Sequence, residues 1–225
     1  MTLQHTSPAL LRLLWLASPA LPIGAYAYSR GLEYAIEIGW VHDVETAVRW
    51  IDGVLERQVA TLDAPVLARM YDGYLAGDED AVVQWDAFLR AARETNEATL
   101  EDRQLGTSLA KLLREAGVAR SDALPTNATY ARGFALAAAH YGASRADAVL
   151  AYLFAFAEGQ VTAASKLVPL GQTAAQRVLA ALMQRIDALT TKALTLADDE
   201  LGAYTPGLTL ASMLHETQYT RLFRS

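Results

Sequence analysis

Residues 43–77 read DVETAVRWIDGVLERQVATLDAPVLARMYDGYLAG, and their spacing decides the fold class. Val44, Ala47, Val48, Ile51, Val54, Leu55 and Leu62 recur at intervals of three and four, the period of one face of an α-helix. Asp43 stands before the run as an N-cap, its carboxylate free to accept a backbone N–H of the first turn. Asp63-Ala64-Pro65 predicts a restart, with Leu67, Met70, Tyr71, Tyr74 and Leu75 on one face and Gly77 as the stop. Nothing in the stretch alternates as a half-buried strand would.

The same period extends in both directions. Ser7-Pro8 reads as an N-cap followed by proline at the first helical position, where its missing N–H is unneeded. Asp78 opens a helix expected to run past Trp85 and Leu89 to Leu112 and to stop at Gly117. Residues 128–141 form an alanine-rich helix. Ser144 with Asp147 makes a capping box for a helix carrying Leu150, Leu153, Phe154, Ala157 and Val161. Pro169 and Gly171 interrupt that helix, and the next carries Val178, Leu182, Ile186 and Leu189. A last segment, LTLASMLHETQYTRLFRS, comes after the loop ADDELGAYTPG, in which Pro206 and Gly207 separate it from the main bundle. The expectation is a single all-α domain over residues 1–225 with roughly eight or nine helices, given helix lengths of about 8–20 residues.

Composition narrows the function. Of 225 residues, 52% are hydrophobic and 20% charged, as in an ordered globular chain, and the net charge of −6 leaves no basic excess for nucleic acid. With no cysteine, disulfides and thiolate chemistry are excluded. Residues 8–28 are the most membrane-like and carry only Arg12, but Pro19, Pro22 and Gly24 interrupt them, and MTLQHTS lacks a signal peptide's positive region. A soluble, cytoplasmic protein that binds no membrane is expected.

The search for catalytic chemistry is mostly empty. His5, His42, His140 and His215 are scattered, none within helical reach of another, and no HExxH is present. Neither GxxxxGK[ST] nor GxGxxG occurs. Gly106-Thr107-Ser108-Leu109-Ala110 loosely matches a nucleophile elbow but lies inside a helical pattern with no preceding strand. RETNEATLEDRQLG, residues 93–106, concentrates Glu94, Glu97, Glu101 and Asp102. Acid–base work by paired carboxylates is one reading, and a solvated face diluted by Arg93 and Arg103 is the favoured one. Ten tyrosines, several outside simple core helices, point toward a protein-binding scaffold without catalysis or cofactor, since interfaces favour tyrosine and arginine.

One stretch breaks the helical pattern early: SPALPIGAYAYSRGLE, residues 18–33. Pro19 and Pro22 fix an elbow that cannot continue the preceding helix, and Gly24 leaves room for a close backbone approach. Together with EGQVTAASKLVPLGQTAAQRVL (158–179), HETQYTRLFRS (215–225) and RETNEATLEDRQLGTSLAKLL (93–113), it resembles the UreF family of urease accessory proteins, in the family's order and over almost the whole chain. Ala25 and Ala175 depart from the small residues expected at those positions, glycine or serine at the first and glycine at the second.

The resemblance implies an all-α, commonly dimeric protein without enzyme activity, cofactor or firm metal site. Its implied partners are a UreD-type accessory protein, a UreG-type GTPase and, through the complex, apo-urease receiving nickel. It could also regulate the GTPase, by ordering its switch loops or donating an arginine. A helical-bundle enzyme acting on a small substrate is the remaining alternative. Partner contacts are expected from the elbow (Tyr26, Tyr28, Ser29, Arg30, Glu33), from the junction around Pro169 (Lys166, Gln172, Gln176, Arg177) and from the tail (His215, Glu216, Tyr219, Arg221, Phe223). If the tail is helical, Tyr219 and Phe223 share a face at i,i+4 with His215 beside them. So short a helix is marginal alone, and a UreD-type partner would order it.

Overall fold

The computed structural model describes residues 8–168 and 171–225. His5, Ser7 and Pro169 lie outside these residues. The chain runs through α1 (Pro8–Leu16), α2 (Leu32–Glu37), α3 (Val44–Val54), α4 (Ala64–Ala76), α5 (Glu79–Ala91), α6 (Asn96–Glu115), α7 (Tyr130–His140), α8 (Arg145–Leu167), α9 (Gln172–Thr195) and α10 (Pro206–His215). No strand occurs among the described residues. Because α3 and α4 are continuous, these segments make nine separate rods, an all-α bundle as the periodicity requires.

The caps that local sequence specifies are in place. Asp43 accepts the Thr46 N–H in a reciprocal capping box, Asp78 accepts that of Ala81, and Ser144 that of Asp147. Gly77 ends α4 in the left-handed conformation, φ 72°.

Two helix boundaries differ from expectation. Asp63-Ala64-Pro65 does not restart a helix: Leu55–Asp63 winds in wider π-helical turns and carries α3 into α4 unbroken, with the Ala64 N–H bonded five residues back to Val59. The displaced hydrogen-bond ladder tolerates Pro65, and Asp63, helical itself, caps nothing. The expected helix from Asp78 to Leu112 is two. It breaks after Ala91, and Thr95 caps α6 by accepting the Ala98 N–H.

The core gathers on α8, which packs against α9, α4, α7, α2 and α1. Val149, Leu153 and Ala157 are fully buried there, and each large apolar side chain so placed stabilises by about 1.5–3 kcal/mol relative to exposure. α8 is long and apolar enough to cross a membrane, but 61% of its most apolar window is buried inside this bundle, the position of a core helix. Alanines 131, 135, 137 and 138 let α7 approach its neighbours closely. At Gly106, within α6, a Cβ would lie 1.9 Å from the Ala128 carbonyl oxygen, so close packing, not a nucleophile elbow, accounts for this glycine.

Residues 198–205 cross the π-helical stretch, where Gly202 and Tyr204 donate backbone N–H bonds to Thr61 and Arg57. Pro206 does not separate the last segment from the bundle. It opens α10, which packs on α2 and α6. Beyond His215 the chain leaves helical structure and returns over the elbow as an irregular strap of turns and bends, residues 216–225.

Candidate functional site

The elbow is anchored from below. Leu21 and Ile23 are buried, and Ala25–Ala27 makes a single 3₁₀ turn. Gly24 has φ +81° with open space where a Cβ would sit, so it serves a left-handed turn and not the close approach expected of it. That role belongs to Gly31, which opens α2: its φ is +74°, and a Cβ would meet the Ser212 nitrogen at 3.1 Å and the Ala211 Cβ at 3.2 Å. Gly31 thereby seats α10 against the elbow.

Glu33, in the first turn of α2, is the hub. Its carboxylate accepts the Leu222 N–H at 2.6 Å and the Phe223 N–H at 2.9 Å, and faces His215 Nε2 at 3.1 Å. His215 Nδ1 lies 2.8 Å from Glu97 Oε1 on α6, and the Arg221 guanidinium flanks the same oxygen at 3.6 Å. The strap is tied further by the Ser29 N–H to the Ser225 carbonyl (2.6 Å), the Arg224 N–H to the Ala27 carbonyl (2.8 Å) and the Ser225 hydroxyl to Glu101 (3.0 Å). The tail is therefore not a helix. Glu33 takes two backbone N–H groups that a helix would use internally, and a short segment's weak helical propensity loses to that. Phe223 is buried while Tyr219 is wholly exposed, so the two do not share a face.

Beneath the strap, Arg30 pairs with Glu101 at 2.6 Å and its guanidinium lies 4.7 Å from the Phe156 ring centre. Burial opposes the Arg30 charge, but Glu101 outweighs it and keeps the guanidinium protonated. Arg93 bridges Asp63 (2.7 Å) and Asp102 (2.9 Å), and Asp102 also accepts the Tyr130 N–H. A cavity of about 60 Å³ opens here between Arg30, Arg93, Glu101, Asp102, Ser212 and Ser225. Glu97, Glu101 and Asp102 are thus buried, not a solvated face. Desolvation forces such acids to find partners, and the break before α6 turns Arg93 inward to supply one.

Each of these carboxylates engages an arginine, the imidazole or a backbone N–H, an arrangement that fixes chain segments together. Glu33 and Glu97 meet opposite nitrogens of one ring and so do not converge on a point. No cluster of three His, Asp or Glu able to hold a metal occurs among the described residues.

The expected contact residues divide by burial. Tyr28, Ser29, Glu33, His215 and Phe223 are inside and Arg30 is half-buried. The buried Tyr28 hydroxyl bonds Gln104, and burial raises it above its ordinary 10. Tyr26, Lys166, Glu216, Tyr219 and Arg221 are exposed around the same corner, and Gln172, Gln176 and Arg177 are exposed at the start of α9. Lys166 joins the three stretches, its Nζ 5.6 Å from the Tyr26 ring and 5.7 Å from that of Phe223. Sequence reasoning missed Gly31, Asp63, Arg93 and the inward acids of α6. A signal existed: Glu97 and Glu101 continue, at steps of four, the stripe of Leu105, Leu109 and Leu113 that faces the core.

Comparison with known proteins agrees over the whole length. Residues 41–183 match the UreF family model. The urease accessory protein UreF of Chromohalobacter salexigens is 48% identical over 223 residues, covering 99% of this chain and 97% of that protein. Its counterpart from Teredinibacter turnerae is 46% identical, covering 96% and 98% respectively. UreF of Alkalilimnicola ehrlichii is likewise 46% identical over 225 residues. The elbow, the α8–α9 corner and the strap therefore meet in a chain that belongs to the UreF family of urease accessory proteins.

Proposed function

We propose that this protein is a non-catalytic, cytoplasmic bridge, working as a homodimer, that holds a UreD-type accessory protein and a UreG-type GTPase together while nickel is inserted into apo-urease. The observation that carries this reading is the convergence at Lys166 of stretches 18–33, 158–179 and 215–225 on one exposed corner. Buried Ser29, Glu33, His215 and Phe223 shape that corner, and exposed residues around them meet partners. The exposed apolar side chains of Leu210, Met213 and Leu214 on α10 and of Tyr219 and Leu222 on the strap suit the UreD-type protein. Tyr26, Lys166, Gln176 and Arg177 suit the GTPase, because a tyrosine on a proline-fixed turn loses little entropy on binding.

Co-expression with tagged candidate partners, followed by affinity capture and size exclusion, tests this. The full chain is expected in a complex with both. Tyr219→Ala with Leu222→Ala is expected to lose the UreD-type protein, and Tyr26→Ala to weaken capture of the GTPase. Full retention of both partners by these variants would overturn the assignment of faces, and failure of the unaltered chain to join them would overturn the bridge.

A further inference from the structure

His215 is fully buried, and both its ring nitrogens face carboxylate oxygens, Glu33 at 3.1 Å and Glu97 at 2.8 Å. A neutral imidazole has one N–H and one lone pair, so it can satisfy only one of two carboxylates and repels the other. Glu33 is engaged from the other side as well, because its two oxygens accept backbone N–H groups of the strap. The geometry therefore calls for an imidazolium donating from both nitrogens. The charged groups facing the ring are Glu33 from α2, Glu97 from α6 and Arg221 from the strap, with the Arg30–Glu101 pair one turn further along α6. α10 contributes no other titratable side chain.

We propose that protonated His215 is the keystone of a latch: it clamps α10 between α2 and α6, holds Glu33 where it binds the strap, and releases residues 216–225 when it loses its proton. The latch does not rest on the bridging function above. Opening would withdraw Phe223 from beside Lys166 and uncover Ser29 and Glu101, the groups that the strap now covers.

Linkage sets the direction of the pH effect. Burial alone would push His215 down, but hydrogen bonds and charge from Glu97 and Glu33 outweigh it and hold the ring above its ordinary 6.5. A group whose pKa is raised in the closed state contributes stability that is complete below the open-state value and lost as pH rises through the closed-state value. Between those two values the open-to-closed ratio grows by up to about tenfold per pH unit.

The test uses the full-length chain without partners. NMR follows the His215 ring with pH, while hydrogen exchange, corrected for intrinsic rates, reads peptide 216–225 against amides of α8. The expected result is a ring that titrates above 6.5 and strap protection that falls in step, while α8 protection holds. His215→Gln is expected to show low strap protection with no such step. A ring that titrates at or below 6.5, or strap protection independent of pH in the unaltered chain, would overturn the latch, and both are read without the variant should it fail to fold. Since no partner is present, failure here leaves the bridge standing, and failed partner capture leaves the latch standing.

Discussion

Two buried ionic clusters use the same chemistry for different ends. In the first, fully buried Asp86 on α5 accepts the Thr129 N–H at 3.0 Å and the Thr129 hydroxyl at 2.8 Å, and pairs with Arg132 (3.2 Å) and Arg90. Arg132 in turn donates to the Tyr74 hydroxyl at 3.1 Å. Every member sits on a rod or its cap: α4, α5 or α7. In the second, Glu33, Glu97 and Glu101 hold α2, α6 and α10, but much of their hydrogen bonding comes from the strap, which has no secondary structure of its own. Breaking the first requires separating helices. Opening the second requires only that ten terminal residues lift away. Stability is graded accordingly: the first cluster opens with the whole bundle, the second at the lower cost of a local unfolding.

The largest expected effect is Asp86→Ala. It strands a buried arginine and removes the support of the α7 cap, which on the scale of broken buried pairs costs about 3–5 kcal/mol. Urea denaturation should show a large drop in midpoint. A shift no greater than that of a strap variant would break the comparison.

Gly31→Ala comes next, because within the second region the elbow and α10 touch there. The new methyl must tolerate φ +74° and meets the backbone of α10 at 3.1 Å, so a loss of about 1–3 kcal/mol is expected. The hydroxyl contact between Thr95 and Ser212, 2.9 Å apart, should go with it. Unchanged thermal stability would mean that α10 yields freely and is not seated by the elbow.

Legibility in the sequence divides the same way. The bundle is readable because its determinants are local: Asp43, Asp78 and Ser144 cap through residues three positions on, and Val178, Leu182, Ile186 and Leu189 fall inward by period alone. The corner is not. Glu33 and His215 meet across 182 positions and His215 and Glu97 across 118, and no spacing rule predicts such pairs. Charge alone sends the acids of α6 to solvent, and only their place on the leucine stripe argues otherwise. The π-helical turns at Leu55–Asp63 are equally hidden, since Asp-Ala-Pro is a valid helix start wherever tertiary packing does not override it.

Glu33→Gln sharpens the comparison at a smaller scale. The amide keeps its shape but gives up the charge that His215 faces. A local opening caps the global cost, because once the strap detaches further loss at Glu33 no longer destabilises the fold. The unfolding free energy from urea denaturation should therefore fall by about 1 kcal/mol, the scale of one net hydrogen bond, while exchange in residues 216–225 rises clearly. Global unfolding comparable to Asp86→Ala would show that the strap is integral to the bundle.

The smallest stability effect belongs to Tyr219→Ala, and its value lies in contrast with Phe223→Ala. Both aromatics sit on the strap, four residues apart. Phe223 is 5% exposed and packs beside Lys166, whereas Tyr219 is 102% exposed and buries nothing. Truncating Phe223 removes an anchor and leaves a cavity, a change costing about 3–5 kcal/mol in a rigid core. Here the cost should be less, because strap release limits it. Truncating Tyr219 should leave the melting temperature unchanged, as surface substitutions away from packed features usually do within about 0.5 kcal/mol. Capture of the proposed UreD-type partner should reverse the order of interest: Tyr219→Ala is expected to weaken it with the fold intact, whereas Phe223→Ala would do so only alongside a freed strap. Strap exchange measured on both proteins separates the causes. If Tyr219→Ala binds as the unaltered chain does, the strap's part in recognition is to shape the corner from within, and the exposed ring contributes no contact of its own.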